Sequence, residues 1–334
     1  MVCPVPLYPL PEHPLVSVLI ANYNYAGYIG RAIESVLQQT YQQFEIIICD
    51  DGSRDHSLDV IQSYAARDQR ITVIAQPNGG QAAALNTAFA KARGDIIALL
   101  DADDEWFPEK LAAVVATLRR TPIAGFVYHQ VNITNSAGKI LRVYPKRLVE
   151  GRLWELLAER WVSTYATASS FALHRSVADQ VFPLPVSFRD LADAVLHERA
   201  TMITYCQPIA QILGIWRQHG ANLTGANAFL DPTTMERHIL KLENLLADKF
   251  LFTERFHGKM SINYEQIKNY CTGQYRCMHA LWTGNRLSYQ DVAGFRPGVK
   301  AWLWAFLFML PMPVARRLYH LWITTPWLYE MLFR

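Results

Sequence analysis

The sequence has few cysteines, and their spacing argues against the structures that cysteines most often build. Its 334 residues contain five cysteines, scattered along the chain without a C-x-x-C pair: Cys3, Cys49, Cys206, Cys271 and Cys277. A disulfide framework uses an even set, and a structural zinc site uses paired thiolates. We therefore expect neither and predict a protein of the reducing cytoplasm.

An excess of charge of one sign is also lacking. The formal net charge is only +3, so we expect no nucleic-acid partner, which would require a broad basic surface. The whole net charge of +3 arises after residue 298, where there are four basic residues and one acidic residue. Residues 1–14 are rich in proline and contain no lysine or arginine, so they are not typical of a secretory signal.

No glycine-rich phosphate loop follows the first predicted strand. The residues there, 24–30, read NYAGYIG, which does not match the G-x-G-x-x-G sequence of dinucleotide-dependent oxidoreductases. The Gly/Arg/Lys-rich triphosphate loop of a sugar nucleotidyltransferase is missing as well. Both enzyme classes are thereby disfavoured, although their strand and helix patterns would fit.

The sequence does contain a regular alternation of strand and helix patterns up to residue 124. Short apolar, β-branched runs predict four strands, at residues 16–21, 44–50, 70–75 and 95–100. Helical spacing follows each run, with one helix expected over residues 79–94 and closed by Gly94. This pattern predicts an α/β fold with a mainly parallel central sheet flanked by helices. Further on, we expect extended segments at residues 161–175 and 206–217.

Three carboxylates occupy four positions directly after the fourth predicted strand: Asp101, Asp103 and Asp104. Like charges this close repel, and burial makes each one costlier, so a cation or a hydroxyl-rich ligand would supply the missing partner. Polar residues also end the first two strands, at residues 22–24 and 50–53. Because ligands bind beyond the carboxyl ends of parallel strands, we expect a site at this edge.

These segments resemble, in order, the motifs of the family-2 inverting glycosyltransferases, which have the GT-A fold. The resemblance is carried by residues 16–57, 78–111, 191–200 and 216–225. It implies transfer of a sugar from a nucleoside diphosphate, with UDP expected, in one inverting displacement. The implied cofactor is Mn²⁺ or Mg²⁺, and the acceptor is a glycan or a lipid-linked hydroxyl in cell-surface glycan or polysaccharide biosynthesis.

The resemblance assigns the nucleotide to six residues: Ala21, Tyr23, Asp50, Asp101, Ala102 and Arg217. A planar base with hydrogen-bonding edges suits the ring of Tyr23 and the carboxylate of Asp50. Asp50 and Asp51 could instead form an Asx turn with Gly52, and of the two we assign the capping role to Asp51. Leu85 stands where the family often has an arginine, which removes one phosphate contact.

The resemblance assigns the metal to Asp103 and His219 and places Asp101 near the ribose. Mg²⁺ prefers oxygen ligands, usually one or two carboxylates completed by phosphate oxygens and water. Asp104 is expected to cap the following helix, and a capping role for all three acids is the alternative. A purely structural role is the alternative for His219.

Asp193 matches the family's general base, which takes a proton from the acceptor hydroxyl as that oxygen attacks the anomeric carbon. The family has a pair of acids here, and Ala192 replaces the first of them. Asp193 could instead be a plain acid at a helix N-terminus. The chain would then be a non-catalytic nucleotide-sugar-binding or scaffold protein that retained the GT-A fold.

We divide the chain into a Pro-rich segment (1–14), a GT-A catalytic domain, a helical extension (229–298) and a tail (299–334). The catalytic domain has a nucleotide-binding half (15–124) and an acceptor half (125–228). The tail has fifteen consecutive apolar residues, 301–315, fewer than the roughly 20 needed to span a bilayer. Aromatic residues and the basic excess accompany them, which predicts a peripheral helix on the anionic inner face of the plasma membrane. Packing of this helix on the catalytic domain or on a partner subunit is the alternative.

Overall fold

A computed structural model of the protein describes residues 5–153 and 167–219, with scattered positions between 240 and 255. Its contacts divide the chain into two compact units, Met1–Leu223 and Thr224–Arg334. The described residues of the second unit are helical. The rest of the predicted extension and the whole tail lie outside the described residues. Within the part of the chain that is described, no helix is long and apolar enough to cross a membrane.

Four parallel strands form the first half of the sheet, in the spatial order β3-β2-β1-β4. They are β1 (Val16–Asn22), β2 (Phe44–Asp50), β3 (Ile71–Ala75) and β4 (Ile96–Leu99). Every residue of β2 and β4 is buried, because both faces of this part of the sheet are covered. The four predicted strands and their parallel arrangement are confirmed.

The helices of this half are α1 (Ile29–Leu37), α2 (Ser57–Ala65), α3 (Gln81–Phe89) and α4 (Lys110–Arg120). The helix predicted over residues 79–94 is therefore shorter at both ends. Gly80 has a φ of 92°, which no helical residue adopts and which favours glycine. Gly94 does not stop the helix. A β-carbon there would lie 2.5 Å from the backbone nitrogen of Ser17, so glycine permits close packing on β1.

The second half of the sheet is mixed in direction. Its strands are β5 (Glu105–Trp106), β6 (Ala124–Thr134), β7 (Ile140–Tyr144), β8 (Phe171–His174) and β9 (Tyr205–Arg217). β8 is antiparallel to both β4 and β6, and β9 is parallel to β6. The full order is β3-β2-β1-β4-β8-β6-β9-β5, with β7 beside β6. The extended segment predicted at residues 206–217 is confirmed as part of β9, and β8 lies within the segment predicted at 161–175.

Two helices accompany the second half, α5 (Arg175–Val181) and α6 (Ala192–Ile203). Two strand pairings then bring the polar segments to one edge. The β1–β2 register places Asn22 beside Asp50. We call residues 101–106 the acidic segment. Its last two residues form β5, which pairs antiparallel with β9, so the end of the acidic segment lies beside the end of β9. Sequence positions that are far apart thereby become neighbours.

Candidate active site

The loop after β2 is organised around the carboxylate of Asp50, which is 2% exposed. This carboxylate accepts hydrogen bonds from the side-chain amide of Asn22 at 2.8 Å, the backbone N–H of Ser53 at 2.9 Å and the Ser53 hydroxyl at 2.7 Å. These donors offset the cost of burying the charge. Oδ1 receives one of the three bonds, which leaves it a lone pair for a further donor.

The neighbouring Asp51 holds the loop that precedes α3. Its Oδ1 accepts from the amide of Gln76 at 2.7 Å and the N–H of Gly79 at 2.8 Å, and its Oδ2 accepts from the N–H of Gly80 at 2.7 Å. Like Asp50, Asp51 thus accepts three hydrogen bonds from the chain, two on one oxygen and one on the other. The turn around Gly52 that was expected of Asp51 is closed instead by Asp50, which accepts from the N–H of Ser53, whereas Asp51 caps the loop before α3.

Three other residues assigned to the nucleotide lie along the same stretch of the sheet. Ala21 is in β1, directly opposite Cys49 of β2. Tyr23 follows the end of β1 and is 40% exposed, so its ring is accessible as a flat apolar surface. Ala102 is buried within the acidic segment.

The acidic segment after β4 is largely buried, with Asp103 9% exposed and Asp104 1% exposed. Burial raises the pKa of Asp101, Asp103 and Asp104. The charge of Asp103 raises the pKa of Asp104 further, and both of these acids raise that of Asp101. The hydrogen bond from His219 opposes the shift at Asp103. A bound cation would lower all three pKa values.

Asp104 has a structural task in this cluster. Its Oδ2 accepts from the hydroxyl of Ser169 at 2.6 Å, and its Oδ1 accepts from the backbone N–H of Arg217 at 2.9 Å. The prediction that Asp104 caps the next helix is wrong. That helix, α4, begins at Lys110, and its N-cap residue Glu109 makes no side-chain capping bond. Asp104 instead joins the acidic segment to the end of β9.

Asp103 and His219, the two predicted metal ligands, lie together. Nε2 of His219 is 3.0 Å from Oδ2 of Asp103, and the histidine side chain is only 3% exposed. The imidazole stacks on the ring of Tyr28, with centroids 4.5 Å apart and planes 13° apart, and meets the edge of Tyr25 at 5.9 Å. These two tyrosines belong to the loop after β1, and no sequence signal marks them as partners of a histidine near residue 220.

Arg217, assigned to the nucleotide, is 6% exposed and its guanidinium pairs with the carboxylate of Glu105. The positive charge also lowers the pKa of Asp103 and of Asp104, which partly offsets their burial. Arg217 therefore lies beside the acidic segment and balances some of its charge. A diphosphate bound there would meet a cationic side chain that is already held in place by Glu105.

Asp193 lies in the first turn of α6 and is partly exposed. Its charge helps to raise the pKa of Asp101. Ala192 is fully buried, and its N–H donates to the side-chain oxygen of Gln81 at 3.0 Å. Gln81, at the start of α3, thus caps α6 from another helix, a role that sequence reasoning missed because the two residues are 111 positions apart.

A divalent metal fits the residues that are present only if the phosphates of a bound nucleotide supply further ligands. Among residues 5–153 and 167–219, no group of three or more His, Cys, Asp and Glu side chains could hold a metal ion by itself. Asp103 and His219 provide one carboxylate and one imidazole at close range. Mg²⁺ is usually bound through one or two carboxylates plus substrate phosphates and water, and this pair meets that requirement.

Comparison with known proteins identifies the family. Residues 17–182 match the family model described as Glycosyl transferase family 2. An uncharacterised glycosyltransferase of Nostoc sp. is 33% identical over 286 residues, which cover 81% of this chain and 87% of that protein. The chain belongs to glycosyltransferase family 2. The chondroitin synthase of Pasteurella multocida is 36% identical to this family-2 glycosyltransferase over 128 residues, which cover 38% of this chain and 13% of the synthase.

Two solved structures confirm the GT-A fold of this family-2 glycosyltransferase. TarS of S. aureus, crystallised in complex with UDP, superposes with a TM-score of 0.53 at 14% identity, covering 84% of this chain and 83% of the TarS chain. The mannosyltransferase PcManGT of Pyrobaculum calidifontis, in complex with GDP-Man and Mn²⁺, gives a TM-score of 0.53 at 18% identity and covers 87% of this chain and 81% of its own.

Proposed function

We propose that this family-2 glycosyltransferase transfers a sugar from a UDP-sugar to a hydroxyl of a glycan or lipid-linked acceptor, with inversion at the anomeric carbon. The observation that carries the proposal is the Asp103–His219 pair, with Nε2 of His219 3.0 Å from Oδ2 of Asp103, beyond the carboxyl end of β4. Donor complexes of TarS with UDP and of PcManGT with GDP-Man and Mn²⁺ support a nucleotide-sugar donor.

The donor would lie along the sheet edge in a fixed direction. The base would stack on Tyr23 and donate to the free lone pair of Asp50, and the ribose would lie toward Asp101. The diphosphate would reach Arg217, whose charge opposes that of the phosphates. Each of these residues would bind or orient the donor, so that the reacting carbon comes to the side on which Asp193 lies.

The chemical step would then need one base. Asp193 would accept the proton of the acceptor hydroxyl while the hydroxyl oxygen forms a bond to the anomeric carbon. The bond from that carbon to the diphosphate oxygen breaks in the same displacement, and UDP leaves with the electron pair. A divalent cation bound by Asp103 and His219 would neutralise the charge that develops on the departing diphosphate.

The alternative is a protein that binds nucleotide sugars without transferring them, and Ala192 is the feature that favours it. The burial of Ala192 weakens this alternative, because the side chain at that position lies in the core, whereas the neighbouring Asp193 is partly exposed. Release of nucleotide from UDP-, GDP- and dTDP-sugars should be measured with Mn²⁺, with and without glycan acceptors. We expect acceptor-stimulated release of UDP. Protection of the fold against heat by UDP-sugars, with no release under any condition, would support the binding protein instead.

We infer further that the tail, residues 299–334, holds the enzyme at an anionic membrane. Full-length protein should sediment with vesicles that contain anionic lipid, less so as salt is raised, because the basic residues of the tail are attracted to the lipid charge. A version ending at Arg296 should remain in solution and still bind UDP. Vesicles of neutral lipid are the control. Unfolding of the shortened protein, or indifference of the full chain to vesicles, would place the tail in the core instead.

A further inference from the structure

A serine from the second half of the chain lies beside the start of the acidic segment. It is Ser169, the central residue of the 3₁₀ turn Ala168–Ser170, which leads directly into β8. β8 is antiparallel to β4, with Ala98 opposite Ala172. Beyond this pair, the backbone N–H of Asp101 donates to the hydroxyl of Ser169 at 3.1 Å. Ser169 therefore lies where the buried strand β4 ends and the carboxylates begin.

Ser169 is 1% exposed and bonds to the acidic segment at three points. Its hydroxyl donates to Oδ2 of Asp104 at 2.6 Å and accepts from the backbone N–H of Asp101 at 3.1 Å. Its carbonyl oxygen accepts from the indole N–H of Trp106 at 2.7 Å. One residue thus fixes the beginning, the middle and the end of a segment six residues long.

These bonds separate the roles of the carboxylates. Asp104 uses one oxygen for Ser169 and the other for the N–H of Arg217. Each oxygen of Asp104 accepts one bond from within the chain and the residue is 1% exposed, whereas Asp103 is 9% exposed and faces His219. Without the serine hydroxyl, the buried carboxylate of Asp104 would lose one of its two hydrogen-bond donors. This loss costs stability and would favour pairing of the carboxylate with a cation instead.

We propose that Ser169 is a positioning residue for the metal and diphosphate site. By holding Asp104 and the backbone of Asp101, it sets the geometry in which Asp101 and Asp103 meet the donor. The inference rests on the proposed function, since it assumes that the donor binds at this segment. Ser169 would touch neither donor nor acceptor and acts chiefly through its bond to the carboxylate of Asp104.

The adjacent Ser170 provides a matched control. It is also 1% exposed, but its hydroxyl donates to the carbonyl of Thr167 at 2.8 Å rather than to an acid. UDP binding should be titrated by calorimetry at a series of Mn²⁺ concentrations. Ser169→Ala is expected to raise the Mn²⁺ concentration required for half-maximal binding by about 10- to 100-fold, the usual cost of removing a group that orients metal ligands. Ser170→Ala should leave that concentration unchanged, although it loses one buried hydrogen bond and Ser169→Ala loses two, so that both variants melt at lower temperature.

A second comparison tests whether the effect passes through Asp104. In an Asp104→Asn background the charge that Ser169 holds is gone, so adding Ser169→Ala should change the Mn²⁺ requirement far less than it does in the natural chain. Equal effects of the two serine variants on Mn²⁺, or full additivity of Ser169→Ala with Asp104→Asn, would overturn the inference. Failure of the unmodified protein to bind UDP with Mn²⁺ would instead refute the proposed function.

Discussion

Asp103→Asn should abolish sugar transfer and weaken Mn²⁺-supported UDP binding by roughly 100-fold or more, since even residues that only orient a metal ligand are worth 10- to 100-fold. Asparagine keeps the shape of the side chain but removes the charge that a cation needs. The carboxylate of Asp103 is 9% exposed, and burial raises its pKa. A buried charge in this position costs stability, and a bound cation is what would offset that cost.

The fold of this variant should survive, which makes the result interpretable. Removing one of three neighbouring buried acids relieves repulsion, so thermal unfolding should occur at a temperature no lower than before. Asp59→Asn is the control, because that carboxylate is 76% exposed on α2 and pairs with His56. Calorimetry should compare UDP binding in Mn²⁺ and in EDTA. UDP affinity that is indifferent both to EDTA and to Asp103→Asn would contradict the metal role.

The first half of the fold could be predicted because its signals are local. Each strand there is a short apolar run covered on both faces, and each following helix has its own apolar spacing. The misplaced ends of α3 show where local reading fails. Gly94 looks like a helix stop, but its glycine is required by contact with Ser17, which is 77 positions away. A residue that serves a distant strand cannot be distinguished in sequence from one that serves its own helix.

The residues of the candidate site also fall into those that local sequence signals could predict and those that depend on distant parts of the chain. Carboxylates at strand ends could be found because parallel strands bring their ends to one edge. The partners of those carboxylates could not, since the serine of the Asp104 bond and the glutamine that caps α6 come from other parts of the chain. A serine or a glutamine has no sequence signal until the antiparallel β8 and the packing of α3 against α6 are known. Roles assigned by position alone therefore failed at Asp104.

Asp193→Asn should lower turnover by roughly two to four orders of magnitude while leaving donor affinity nearly unchanged. A general base acts on the proton of the acceptor in the transition state and contributes little to binding of the donor in the ground state. The partly exposed carboxylate at the start of α6 is accessible to an acceptor, whereas Ala192 beside it is buried.

Asp190→Asn is the matched control for this last prediction, because it makes the same chemical change three positions earlier, outside α6. Turnover and the dissociation constant of UDP should be measured for both variants with Mn²⁺ and a working acceptor. We expect only Asp193→Asn to lose turnover and neither variant to lose UDP binding. Near-normal turnover of Asp193→Asn together with a slow Asp190→Asn would move the base to Asp190. Normal turnover of both would mean that neither acid removes the proton, and the missing acid at position 192 would then mark a real change in the chemistry of this chain.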